Sequence, residues 1–136
     1  MKALRISTLA IVIGILTLSS TLFASETEKE KVERILKNFL FALQFDNTGV
    51  VESAILNSME LKARYPEYDF KRVQDKLNAL AIDGETPVIK YRAQLASLYY
   101  SNYTLFGNIT FEDKENPERI FSAIIDRLEH IHLVSI

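Results

Sequence analysis

The sequence predicts an all-α protein, one domain of about five antiparallel helices behind an N-terminal signal helix. Three observations carry that expectation. Apolar residues recur every three to four positions in five successive stretches, the period of a helix with one buried face. The stretches are divided by helix start and stop chemistry rather than by hairpin turns. No stretch alternates convincingly with period two; residues 105–111 are the only candidate strand, and Gly107 interrupts them.

The first 24 residues read as a leader. Met1–Arg5 is a short basic region, Leu9–Leu18 an apolar core, and Ser19–Ala24 a small-residue segment with the expected cut after Ala24. The alternative is an uncleaved anchor. Residues 6–24 hold no charge over 19 positions, the short end of what spans a bilayer. Either way the remainder, 25–136, is exported, to the periplasm or outside the cell, because the basic end stays inside.

Each helix has its own warrant. Ser25-Glu26-Thr27-Glu28 has the form of a capping box, and Ile35, Leu36, Phe39 and Leu43 continue one stripe behind it. Thr48 is the expected N-cap of a second helix reaching about Arg64, with Val51, Ile55 and Met59 on one face. Tyr65-Pro66 stops it, because the residue before proline avoids helical geometry. Asp69 caps a third helix with the stripe Phe70, Val73, Leu77 and Leu80. Asp83-Gly84 ends it, with glycine expected in a left-handed cap. Thr86-Pro87 opens the fourth helix, apolar on most sides to about Phe106 and therefore expected at the centre. Asn116-Pro117 repeats that start before a last stripe of Ile120, Phe121, Ile124 and Leu128.

Composition narrows the function. Hydrophobic content of 48% and charged content of 25% are those of a globular chain. The net charge of −2 includes Lys2 and Arg5 of the leader, so the remainder is more acidic still and has no basic footprint for nucleic acid. There is no cysteine, which excludes disulfides, thiol catalysis and thiolate metal sites.

An internal similarity stands out. Leu40, Ala42, Leu43 and Asp46 recur as Leu77, Ala79, Leu80 and Asp83 at a spacing of 37; Thr48 and Val50 then recur as Thr86 and Val88 at 38. A period of that length, spanning two helices, is the signature of a helical solenoid unit. Pro87-Val88-Ile89-Lys90-Tyr91-Arg92-Ala93 is similar to the opening of the second helix of a HEAT-like or armadillo-like repeat. Val51-Glu52-Ser53-Ala54 departs from it, with an acid where a base is usual. The resemblance covers about two and a half units, most of residues 26–132. It implies a right-handed helical-repeat array and a scaffold that holds partners along its second helices, not a reaction.

On those second helices two polar rows share a 4-3-4 spacing: Ser53, Asn57, Glu60 and Arg64, then Lys90, Gln94, Ser97 and Ser101. If the helices stack in parallel, the rows lie side by side as a mixed-charge surface for a protein partner. A solvated helix face is the simpler account of each row. A second cluster, Tyr99, Tyr100 and Tyr103, is either an aromatic platform for a small ligand or glycan or core packing on a central helix.

No enzyme is expected. The only histidines, His130 and His132, point about 200° apart on a helix and cannot share a metal from one face. There is no nucleophile elbow and no glycine-rich phosphate loop. Glu112, Asp113 and Glu115 lack the ligand spacing of a calcium loop. The expected protein has no cofactor, no metal and no nucleic-acid partner. It meets a membrane only through an uncleaved leader, engages an unknown protein partner, and has scope for self-association through an uncapped solenoid end.

Overall fold

The computed structural model describes residues 25–134. The signal or anchor segment, residues 1–24, lies outside them. The described residues form six helices: α1 (Glu28–Ala42), α2 (Thr48–Arg64), α3 (Lys71–Asp83), α4 (Pro87–Ser101), α5 (Tyr103–Phe106) and α6 (Pro117–Val134). No strand occurs among the described residues, and 105–111 are a helix end and a loop.

The chain divides into two units, Met1–Glu33 and Arg34–Ile136. The described part of the first is the start of α1. There the capping box lies two residues later than the sequence suggests. Thr27 Oγ1 accepts from the Glu30 backbone N–H at 3.3 Å, and Glu30 Oε2 accepts from the Thr27 N–H at 2.9 Å. The Thr27 N–H, and after it the Thr27 hydroxyl, which also donates to Glu30 Oε2 at 2.9 Å, hold the Glu30 carboxyl below its usual pKa.

The second unit contains the core. Leu43, Val51, Ile55, Val73, Leu77, Ile89, Ala93, Ala96 and Ile124 are buried, and Ile35, Leu36, Phe39, Leu80 and Leu128 pack half-buried against them. The helix expected at the centre is there: α4 touches α2, α3, α5 and α6. It does not run unbroken to Phe106. Asn102 stops it by donating both its backbone N–H and its Nδ2 to the Leu98 carbonyl, at 3.0 and 3.1 Å. A side-chain amide that competes for the helix's own carbonyl ends the ladder. The chain then turns once more as α5, which buries Phe106.

Three other caps differ from expectation. Phe70, not Asp69, is the N-cap of α3, while Asp69 Oδ1 accepts from the Lys71 N–H at 2.8 Å. Asn47, not Thr48, starts α2, accepting from the Val50 N–H at 3.1 Å. Gly84 is not left-handed; its φ is −55° and no described glycine has a positive φ. Its reason is space. A Cβ there would sit 2.5 Å from the Leu80 carbonyl oxygen and 2.9 Å from Ile89 Cγ2. Thr86 caps α4 as expected, accepting from the Ile89 N–H at 3.1 Å with Pro87 next in line.

Candidate functional site

The two polar rows bond to different neighbours. On α2, Ser53 and Arg64 are exposed, while Asn57 and Glu60 are half-buried. Glu60 accepts from Lys114 Nζ at 2.6 Å and from Arg64 Nη2 at 3.0 Å, so this row faces the loop before α6. Ser53 and Asn57 line two open cavities. One, of about 480 Å³, is shared with Glu52, Arg92, Lys114 and Pro117; the other, of about 410 Å³, is walled by Phe39, Ala42, Val50 and Ala54.

On α4, Lys90 and Gln94 are exposed, and the row's end is tied to α3. Ser97 Oγ donates to Asn78 Oδ1, and Gln74 Nε2 donates to Ser101 Oγ at 2.9 Å. No hydrogen bond among the described residues joins one row to the other. Helical geometry gives the reason. Arg92 and Tyr100 are α4 residues that bond to α2, and by helical spacing the row lies on the side of α4 away from Arg92.

Arg92 is the junction that sequence reasoning missed. Its Nη1 donates to Glu52 Oε2 of α2 at 2.8 Å, its Nη2 donates to Glu118 of α6, and its guanidinium carbon lies 5.4 Å from the centre of the Phe121 ring. One planar cation thus bonds to carboxylates on two other helices. Glu52 is the acid that departs from the repeat pattern, and the departure supplies half of this junction. No local spacing announces it, because the partners lie 40 and 26 residues away.

The tyrosine cluster turns inward. Tyr99 is fully buried, with Tyr100, Tyr103, Phe106 and Phe111 around its ring at centroid distances of 5.6–6.1 Å. The Tyr100 hydroxyl donates to the Ser58 carbonyl at 2.7 Å, and that of Tyr103 to the Ala63 carbonyl at 3.3 Å. Burial pushes the hydroxyls of Tyr99 and Tyr100 well above the usual tyrosine range. Of the three, Tyr100 borders a cavity, one of about 490 Å³ shared with Lys62, Phe70, Gln74 and Asn78. Lys62 Nζ donates to the Pro66 carbonyl at 2.7 Å and lies over the rings of Phe70 and Tyr103, at 5.0 and 5.4 Å. Desolvation there lowers its pKa.

A further cavity, about 610 Å³, is an open groove between residues 108–113 and α6. Ile109, Ile120 and Ala123 contribute its apolar surface. At one end Arg119 Nη1 donates to Asp113 Oδ2 at 2.8 Å; at the other Arg127 donates to the Leu105 carbonyl at 3.0 Å and to Asn108 Oδ1 at 3.4 Å. His130 lines the groove, whereas His132 is exposed and outside it. Among the described residues no three histidines or carboxylates stand together as a metal site. None of the described helices is long and apolar enough to cross a membrane.

Comparison with family models, with curated proteins and with solved structures finds no match to this chain.

Proposed function

We propose that this chain is an exported, non-enzymatic helical-repeat protein that serves as a protein-interaction or scaffold module of the periplasm or envelope. The observation that carries the repeat reading is the order of the pairs between the second helices. Glu52–Arg92 and Ser58–Tyr100 climb α2 and α4 together, and Ala63–Tyr103 carries the same order on into α5, at separations of 40, 42 and 40 residues. Two helices joined that way run in the same direction, as second helices of successive units do. Between them, Gln74–Ser101 and Asn78–Ser97 close with falling separation, the order of an antiparallel pair, α3 with α4.

In this reading the partner surface is the α2 row, Ser53, Asn57, Glu60 and Arg64, with Lys90 and Gln94 as a second patch. Export rests on the basic, apolar and small-residue order of the first 24 residues. An intact mass of the purified protein reads the cut after Ala24 directly.

Cross-linking in intact cells of the host, followed by mass spectrometry, tests the module itself. One dominant envelope or secreted partner is expected, its yield reduced by reversing the charges of Glu60 and Arg64. A blank apart from self-cross-links would overturn the reading.

A further inference from the structure

We propose that the groove between residues 108–113 and α6 binds an extended, basic peptide segment of a partner, which adds as a strand to the backbone of residues 109–112.

Burial along this loop alternates as it does along a strand. Ile109 and Phe111 are half-buried against the core, while Thr110 and Glu112 between and beyond them are exposed. Phe111 anchors it, its ring edge-on to Tyr99 at 5.9 Å. No hydrogen bond among the described residues uses the backbone N–H or C=O of Thr110, Phe111 or Glu112. Exposed chain of this kind is a template for an incoming strand unless it is blunted by proline, lysine or a covering element. Residues 107–113 contain neither proline nor lysine. What lies beside them is the open groove, and about 610 Å³ is within the range of sites that take a ligand.

Charge selects the occupant. The groove is lined by three carboxylates, Glu112, Asp113 and Asp126, against two guanidiniums, Arg119 and Arg127. Asp113 is already spent on Arg119. Glu112 and Asp126 take part in no ion pair among the described residues. Arg127 is likewise in no ion pair among them, its donors going to the Leu105 carbonyl and Asn108, so the lining keeps a net negative charge and favours a strand bearing lysine or arginine over an acidic one. Main-chain bonds would supply the affinity and these two carboxylates the choice of sequence. This surface shares no residue with the α2 and α4 rows, so either can fail while the other stands.

The test uses isotope-labelled protein and two synthetic peptides, followed by NMR. Both peptides alternate threonine and valine; one carries lysine at each end, the other glutamate. The lysine peptide is expected to shift the amides of residues 109–112 and slow their hydrogen exchange. The glutamate peptide should bind at least about tenfold more weakly. Thr110→Pro, which removes an N–H and obstructs strand pairing, should abolish binding. Glu112→Lys should reduce it by about tenfold with the melting temperature unchanged, and it reads the charge independently should Thr110→Pro disturb the loop. Absence of protection at 109–112 with either peptide overturns the proposal. So does equal affinity for the two peptides, or full binding by Glu112→Lys.

Discussion

Adjacent tyrosines on α4 carry hydroxyls in opposite situations. Tyr100 donates to the Ser58 carbonyl at 2.7 Å, whereas the buried Tyr99 hydroxyl has no hydrogen-bond partner among the described residues. A buried hydroxyl without a partner forfeits its water and gains nothing back. Tyr99→Phe is therefore expected to be neutral or to stabilise by up to about 1 kcal/mol, and Tyr100→Phe to destabilise by about 1 kcal/mol. Urea melts of the two variants check this. Equal losses would mean that Tyr99 is bonded after all. The sequence marks both positions as aromatic on a central helix. It does not say which hydroxyl is satisfied, because the acceptor for Tyr100 lies 42 residues back.

Helix boundaries are where local chemistry and tertiary packing diverge. The five apolar stripes are legible because helical periodicity needs only neighbours three and four residues away. The caps are less so. Asn47 and Thr48 are both good cap residues in sequence, and only the backbone shows that Asn47, at φ −124° and ψ 117°, holds the cap. Asn47→Ala should cost about 1 kcal/mol and Thr48→Ala much less, measured by thermal unfolding. The reverse order would move the helix start by one residue. Gly84 shows a second kind of limit. A glycine after a helix reads as a left-handed cap, but here it admits the Leu80 carbonyl and the Ile89 side chain. Gly84→Ala is compatible with the negative φ and still collides with backbone. We expect a loss of about 1–3 kcal/mol, the range of overpacking, and a melt no different from that of the parent would refute the close approach. The break at Asn102 and the junction at Arg92 share the reason they went unread: each depends on which group a side chain meets once the helices are in place.

Across the second unit, α4 links the other elements by two means with different sensitivity to solution conditions. Arg92 joins α2, α4 and α6 through charge, with Glu118 well exposed and open to screening by salt. The tyrosines join α4 to α2 and to the loop before α6 through burial, and burial disfavours their ionised form. This sets an alkaline limit whose sign follows from linkage. In the unfolded chain Tyr99 and Tyr100 lose their protons near the ordinary value of about 10. In the folded chain they keep them to higher pH. Above about pH 10 the unfolded state therefore binds fewer protons than the folded one, and stability falls as pH rises. The contribution is fully present below that pH and is lost through the window up to the raised folded values. Melting temperature should drop steeply from about pH 10 upward, with part of the tyrosine ionisation appearing only as the protein unfolds. The variant Tyr99→Phe/Tyr100→Phe removes both groups and should flatten that slope while leaving the response to salt, which belongs to Arg92 and its carboxylates, unchanged. An unaltered slope in the variant would assign the alkaline transition to other groups and would separate the tyrosine packing from the stability of the unit.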